Sequence, residues 1–303
     1  MPHFQSLPNE ILLMILSYLT SYKDIVALCI QDRRLLSLYD LTTLRKYQQV
    51  RIRQDEHLGP AFDVLISILR DPKLGKYVRH LEVDRQPLSL EPYVETNWRR
   101  SLSESDLGKL EDAVQAAGDL GYSQNTILNM LMQTQTNIEP QEVKVVRGTF
   151  IGQAIAVLLI SVCPELESLV LGAPHSVEET LNNYSYYEFM ERGRNIPLPP
   201  PKFPMSELLS KVTQQSSNSP YLQRVRTTEF LPRPYLGKKW YSPCDFYNCV
   251  AKVSGLPKLE KNSIDGMRLL EAQPYAMPPP RTHIKVLEFH RSLLSSLFFP
   301  SLL

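Results

Sequence analysis

Cysteine is scarce in this chain: Cys29, Cys163, Cys244 and Cys249 are the only four in 303 residues. A secreted scaffold of this size held by disulfides would need more, so the thiols are expected to be reduced. Long apolar runs are missing too. Residues 11–16 and 154–160 are the longest, and neither approaches the roughly 20 residues that cross a bilayer. No basic stretch opens the N-terminus, and Glu10 stands where a secretion signal would be apolar. Ser301-Leu302-Leu303 lacks the basic middle residue of a peroxisomal address. These absences predict a cytoplasmic or nuclear protein with no membrane association. An excess of charge of one sign is also absent. Lys plus Arg is 33 against 32 for Asp plus Glu, a net +1, which argues against a nucleic-acid coat.

Catalytic signatures are equally lacking. There is no glycine-rich phosphate loop, no Gly-x-Gly-x-x-Gly, no Gly-x-Ser-x-Gly elbow and no His-Glu-x-x-His. Six histidines (His3, His57, His80, His175, His283, His290) show no ligand spacing. Cys244 and Cys249 form the single close thiol pair, and zinc sites usually need two such pairs. No catalytic residue, metal or cofactor is predicted.

What is present begins with three short helices in the first fifty residues. Pro8 suits a helix start, and Glu10 favours the positive end of the helix dipole. Ser21-Tyr22-Lys23-Asp24 resembles a capping box for a second helix, and Asp32 is placed to cap a third carrying Leu35, Leu36, Leu38 and Leu41. The first helix has too many apolar residues for one buried stripe. Ile11, Leu12, Ile15, Leu16 and Leu19 share a face, while Leu13, Met14 and Tyr18 lie off it. A piece of about 40 residues has too little volume to cover both faces, so the rest of the chain or a partner must cover one.

Leu7-Pro8-Asn9-Glu10-Ile11-Leu12-Leu13-Met14-Ile15-Leu16 resembles the start of an F-box. Asp24-Ile25-Val26-Ala27-Leu28-Cys29 is similar to the second helix of that family, and Asp32-Arg33-Arg34-Leu35-Leu36 to its third. The resemblance covers about residues 5–45. It departs from many members at Arg33-Arg34, where they carry a Trp, but fungal-type F-boxes include an arginine version.

Beyond residue 50 a six-residue apolar pattern recurs. Val78-Arg79-His80-Leu81-Glu82-Val83, Leu166-Glu167-Ser168-Leu169-Val170-Leu171 and Ile284-Lys285-Val286-Leu287-Glu288-Phe289 each read as a half-buried strand. Weaker copies start at Leu222 and Leu259. Helices are predicted over 61–69, 107–120 and 151–162. The uneven spacing resembles the irregular leucine-rich segments attached to fungal-type F-boxes, a degenerate solenoid with long insertions. An ordinary α/β domain with half-buried strands is the alternative. Proline-rich stretches at 196–204 and 277–280 predict extended loops, and Arg194-Asn195-Ile196-Pro197-Leu198-Pro199-Pro200 has the form read by polyproline-binding domains.

The expected architecture is thus an α+β or α/β solenoid: an F-box at 1–50, then an irregular leucine-rich-repeat-like substrate-binding domain at 51–303. The apolar tail at 293–303 is expected to fold back as a cap or to mark a truncated chain. The resemblance implies the substrate-recognition subunit of a cullin-RING (Skp–cullin–F-box) ubiquitin ligase, not itself an enzyme. A scaffold acting without ubiquitin transfer is the alternative. By resemblance, Leu7, Pro8, Ile11, Ile15, Leu16, Leu19 and Leu28 meet the Skp adaptor, and through it a cullin. Arg79, Glu82, Glu167, Ser168, Arg224 and Lys285 are candidates for contacting an unidentified protein substrate, and their mixed charges name no chemistry for it.

Overall fold

A computed structural model describes residues 7–19, 22–38, 41–53, 55–83, 93, 95–118, 120, 122–136, 138–172, 203–214, 220–231, 242–244, 246–269 and 283–293. The expected capping serine Ser21, the Pro-rich stretches at 196–202 and 277–280, the Arg194–Pro200 motif and the tail beyond 293 lie outside them. The chain divides into two units, residues 1–49 and 50–303.

The first unit is helical. Helix α1 (Asn9–Tyr18) starts behind Pro8, whose carbonyl accepts the Leu12 N–H at 3.1 Å, with Glu10 in its first turn. Helix α2 (Tyr22–Gln31) is followed by Asp32, whose Oδ1 accepts the Arg34 N–H at 2.8 Å and caps α3 (Arg33–Leu38) as expected. The third helix does not run on to Leu41. It ends at Leu38, and a fourth helix that sequence reading missed, α4 (Leu41–Tyr47), follows. Its two buried residues, Leu44 and Tyr47, are too few to register as a periodic pattern. Leu12, Leu16, Ile25, Cys29, Leu35 and Leu44 are almost wholly buried and make this unit's core.

In the second unit the strands are β1 (Gln49–Ile52), β2 (His80–Val83), β3 (Ser168–Gly172), β4 (Thr227–Leu231), β5 (Ser242–Cys244), β6 (Lys261–Asp265), β7 (Met267–Leu269) and β8 (Val286–His290). One sheet runs β1-β2-β3-β4-β6-β8, and each neighbouring pair from β2 to β8 is parallel. Strands β5 and β7 make a separate parallel pair. Parallel neighbours require long crossovers. The connections between strands contain α5 (Asp55–Arg70), a short 3-10 helix (Pro72–Tyr77), α6 (Glu104–Ala117), α7 (Gln124–Met132), α8 (Gln141–Val162), α9 (Pro204–Gln214) and α10 (Phe246–Val253). The architecture is α+β, helices plus a parallel sheet. Pro204, expected in an extended stretch, opens α9 instead, where its missing N–H costs nothing.

The five expected strand segments all lead into strands, but each strand begins later than the apolar pattern does. Val78, Leu166 and Leu259 are buried in the turn, and pairing starts two residues on, at His80, Ser168 and Lys261. Ile284 stands in the same place before Val286. The segment at Leu222 is the outlier. Leu222 takes a left-handed backbone (φ +60°) in a turn closed by the Val225 N–H on its carbonyl, and Val225 is the buried residue two positions before Thr227.

One face of the sheet is mostly apolar, with the Thr228 hydroxyl hydrogen-bonded to Asn262 Oδ1 within it. Register aligns Leu81 with Leu169, Thr228, Asn262 and Leu287, and Val83 with Leu171, Phe230, Ile264 and Phe289. Helix α8 packs against α5, α6, α7 and α9 and touches β2. Residues 147–160 of α8 are buried without a break, which is why it shows no polar face. Gly75 lies directly on the Val162 carbonyl, leaving no room for a side chain where the 3-10 helix passes the end of α8.

Helices α5 and α6 are joined by a fork. Arg70 Nε and Nη2 donate to the two Asp106 oxygens, each at 2.7 Å, and the Ser103 hydroxyl that caps α6 also donates to Asp106. The hydrogen bonds from Arg70 and Ser103 hold the Asp106 carboxyl well below the usual carboxylate range. The unfolded chain therefore takes up this proton first as pH falls. The contribution is complete above the ordinary aspartate range and is lost as pH drops through the depressed native value. Urea midpoints measured down a pH series should show this acid loss, and Asp106→Asn should flatten it. An unchanged acid slope in the variant would contradict the assignment.

Candidate interaction surfaces

In the N-terminal unit, α1 carries apolar residues on two faces. Leu12 and Leu16 turn inward and are 0% exposed, whereas Ile11, Leu13, Met14 and Tyr18 face outward, Tyr18 being 78% exposed. Ile30 on α2 is 70% exposed, and Leu36 on α3 is exposed as well. Arg34 of α3 also ties to the start of α1, its Nε donating to Asn9 Oδ1 at 2.8 Å. With the interior filled by Leu12, Leu16, Ile25, Cys29 and Leu35, these outer apolar residues are surplus to the unit's own core. An apolar patch of this kind on a small helical unit marks an interaction surface.

Of the residues expected at this surface, Pro8 and Ile11 are exposed, and Leu7, Ile15, Leu19 and Leu28 are half-buried. Leu16 is a core residue. Leu13, Met14, Tyr18, Ile30 and Leu36 were not expected there. The excess of apolar residues on α1 pointed to the first three. Nothing in the sequence singled out Ile30 or Leu36, because their exposure depends on how the helices pack.

The second unit presents the other face of its sheet and the sheet's N-terminal edge. Arg79, Glu167 and Lys285, expected on a concave face, stand at that edge one residue before their strands. Arg79 Nη1 contacts Glu167 at 2.7 Å and Glu165 at 3.2 Å, and Lys285 Nζ meets Glu260 at 2.9 Å. Backbone bonds from Glu167 to Arg79, Arg226 to Glu167, Glu260 to Arg226 and Lys285 to Glu260 align these five residues in one row of alternating charge. Arg224 is exposed and paired with Glu165. Ser168 is half-buried on β3.

Glu82 is the exception, at 2% exposure. Arg51 from β1 and Arg53 just after it both reach this carboxylate, Arg51 Nε at 3.1 Å. His57 Nδ1 accepts the Arg53 backbone N–H at 3.2 Å. His80 precedes Glu82 by two on the same face of β2. Burial pushes its imidazole down, which keeps it neutral at physiological pH. Toward β8 the charges are Glu229, Asp265 and Glu288 with Lys261 and Arg291.

Cys29, Cys163 and Cys249 are buried, and burial pushes the Cys163 thiol up to about 12. Among the described residues no cluster of His, Cys, Asp or Glu could hold a metal ion, and no helix is long and apolar enough to cross a membrane.

No curated protein and no solved structure matches the chain. The family model that does match, F-box-like, covers residues 4–30, which takes in α1 and all but the last residue of α2. The filled core, the outward apolar face and this match agree: the chain carries an F-box-like domain at its N-terminus.

Proposed function

We propose that the protein is a substrate-recognition subunit of a cullin-RING ubiquitin ligase, working without catalytic residues of its own, in the cytoplasm or nucleus. F-box domains typically bind a Skp adaptor, and the observation that carries the reading is the outward apolar face of α1–α3. Burying a Leu or Ile side chain contributes about 1.5–3 kcal/mol, so a few of these residues suffice for a stable complex. The second unit then presents a protein substrate, raising the effective concentration of its lysines near a ubiquitin-charged partner. We read this unit as irregular and leucine-rich-repeat-like. The strands of its main sheet lie in chain order, and β2, β3, β4, β6 and β8 each follow an apolar residue two positions earlier, Val78, Leu166, Val225, Leu259 and Ile284.

Reconstitution tests this reading. The purified chain, mixed with a Skp adaptor and a cullin–RING pair, is expected to enter the cullin-containing peak on size exclusion. Adaptor binding that excludes the cullin would instead support a scaffold outside the ligase.

A further inference from the structure

We draw no further inference here: the strongest candidate, the apolar surface of β8 at one end of the main sheet, where Val286 and Leu287 are exposed, carries nothing because nothing among the described residues shows what covers it.

Discussion

Phe150→Ala is expected to cost the second unit about 3–5 kcal/mol, the range for deleting a large aromatic side chain from a packed core. Phe150 is fully buried on α8, the helix that α5, α6, α7 and α9 all pack against. Its ring lies 5.5 Å from that of Tyr93 and 5.0 Å from that of Phe203, both tilted, so the variant loses two ring contacts as well as apolar burial. The neighbours come from separate stretches of chain and have no common element that could collapse into the gap. For a unit of this size the loss corresponds to a drop of roughly 10 °C in melting temperature. Phe150→Leu, which leaves a smaller void, should lose about 1 kcal/mol. Thermal melts followed by near-UV circular dichroism compare the two. A drop in Phe150→Ala no larger than in Phe150→Leu would show that α8 is not the centre of the core.

How far the sequence revealed this arrangement differs between the two units. Short-range signals were readable: the Asp32 cap, the surplus apolar residues of α1, the uninterrupted apolar stretch of α8 and the strand segments. Each of these depends on residues within one element. Strand β1 was missed because four residues, Gln49–Ile52, alternate too briefly to stand out. The arginines it supplies to Glu82 were missed with it. Glu82 alternates like any polar residue facing solvent, and only the pairing of β1 with β2 shows that it is buried.

The alternating row Arg79, Glu167, Arg226, Glu260 and Lys285 shows the same limit. Every one of these residues is visible in the sequence as the charged residue following an apolar one. Their contact depends on a register that links positions far apart in the chain. Opposite charges side by side favour this register, and a shift that placed like charges together would be penalised. In the N-terminal unit, the family resemblance placed Leu16 with the adaptor-facing side chains. The packed helices put it in the core and turn Tyr18 and Ile30 outward.

Charging that outward surface carries the largest expected loss of binding. Ile15 is half-buried on α1, and Ile30 is 70% exposed on α2. If each is covered by the adaptor, losing its burial costs about 2 kcal/mol, and an introduced carboxylate adds a desolvation penalty. The double variant Ile15→Asp/Ile30→Asp should therefore bind at least roughly a thousandfold more weakly. Ile30→Asp alone tests the surface with little risk to the fold, since that side chain contributes almost nothing to the unit's own core.

The most direct measurement is co-expression of the chain with a Skp adaptor, followed by size exclusion and calorimetric titration, with Ile30→Asp and the double variant alongside. Circular dichroism establishes that each variant is folded. The account predicts that the wild-type chain co-elutes with the adaptor and that folded Ile30→Asp binds markedly more weakly. A monodisperse wild-type chain that elutes alone, or a folded double variant that binds as tightly as wild type, would contradict it.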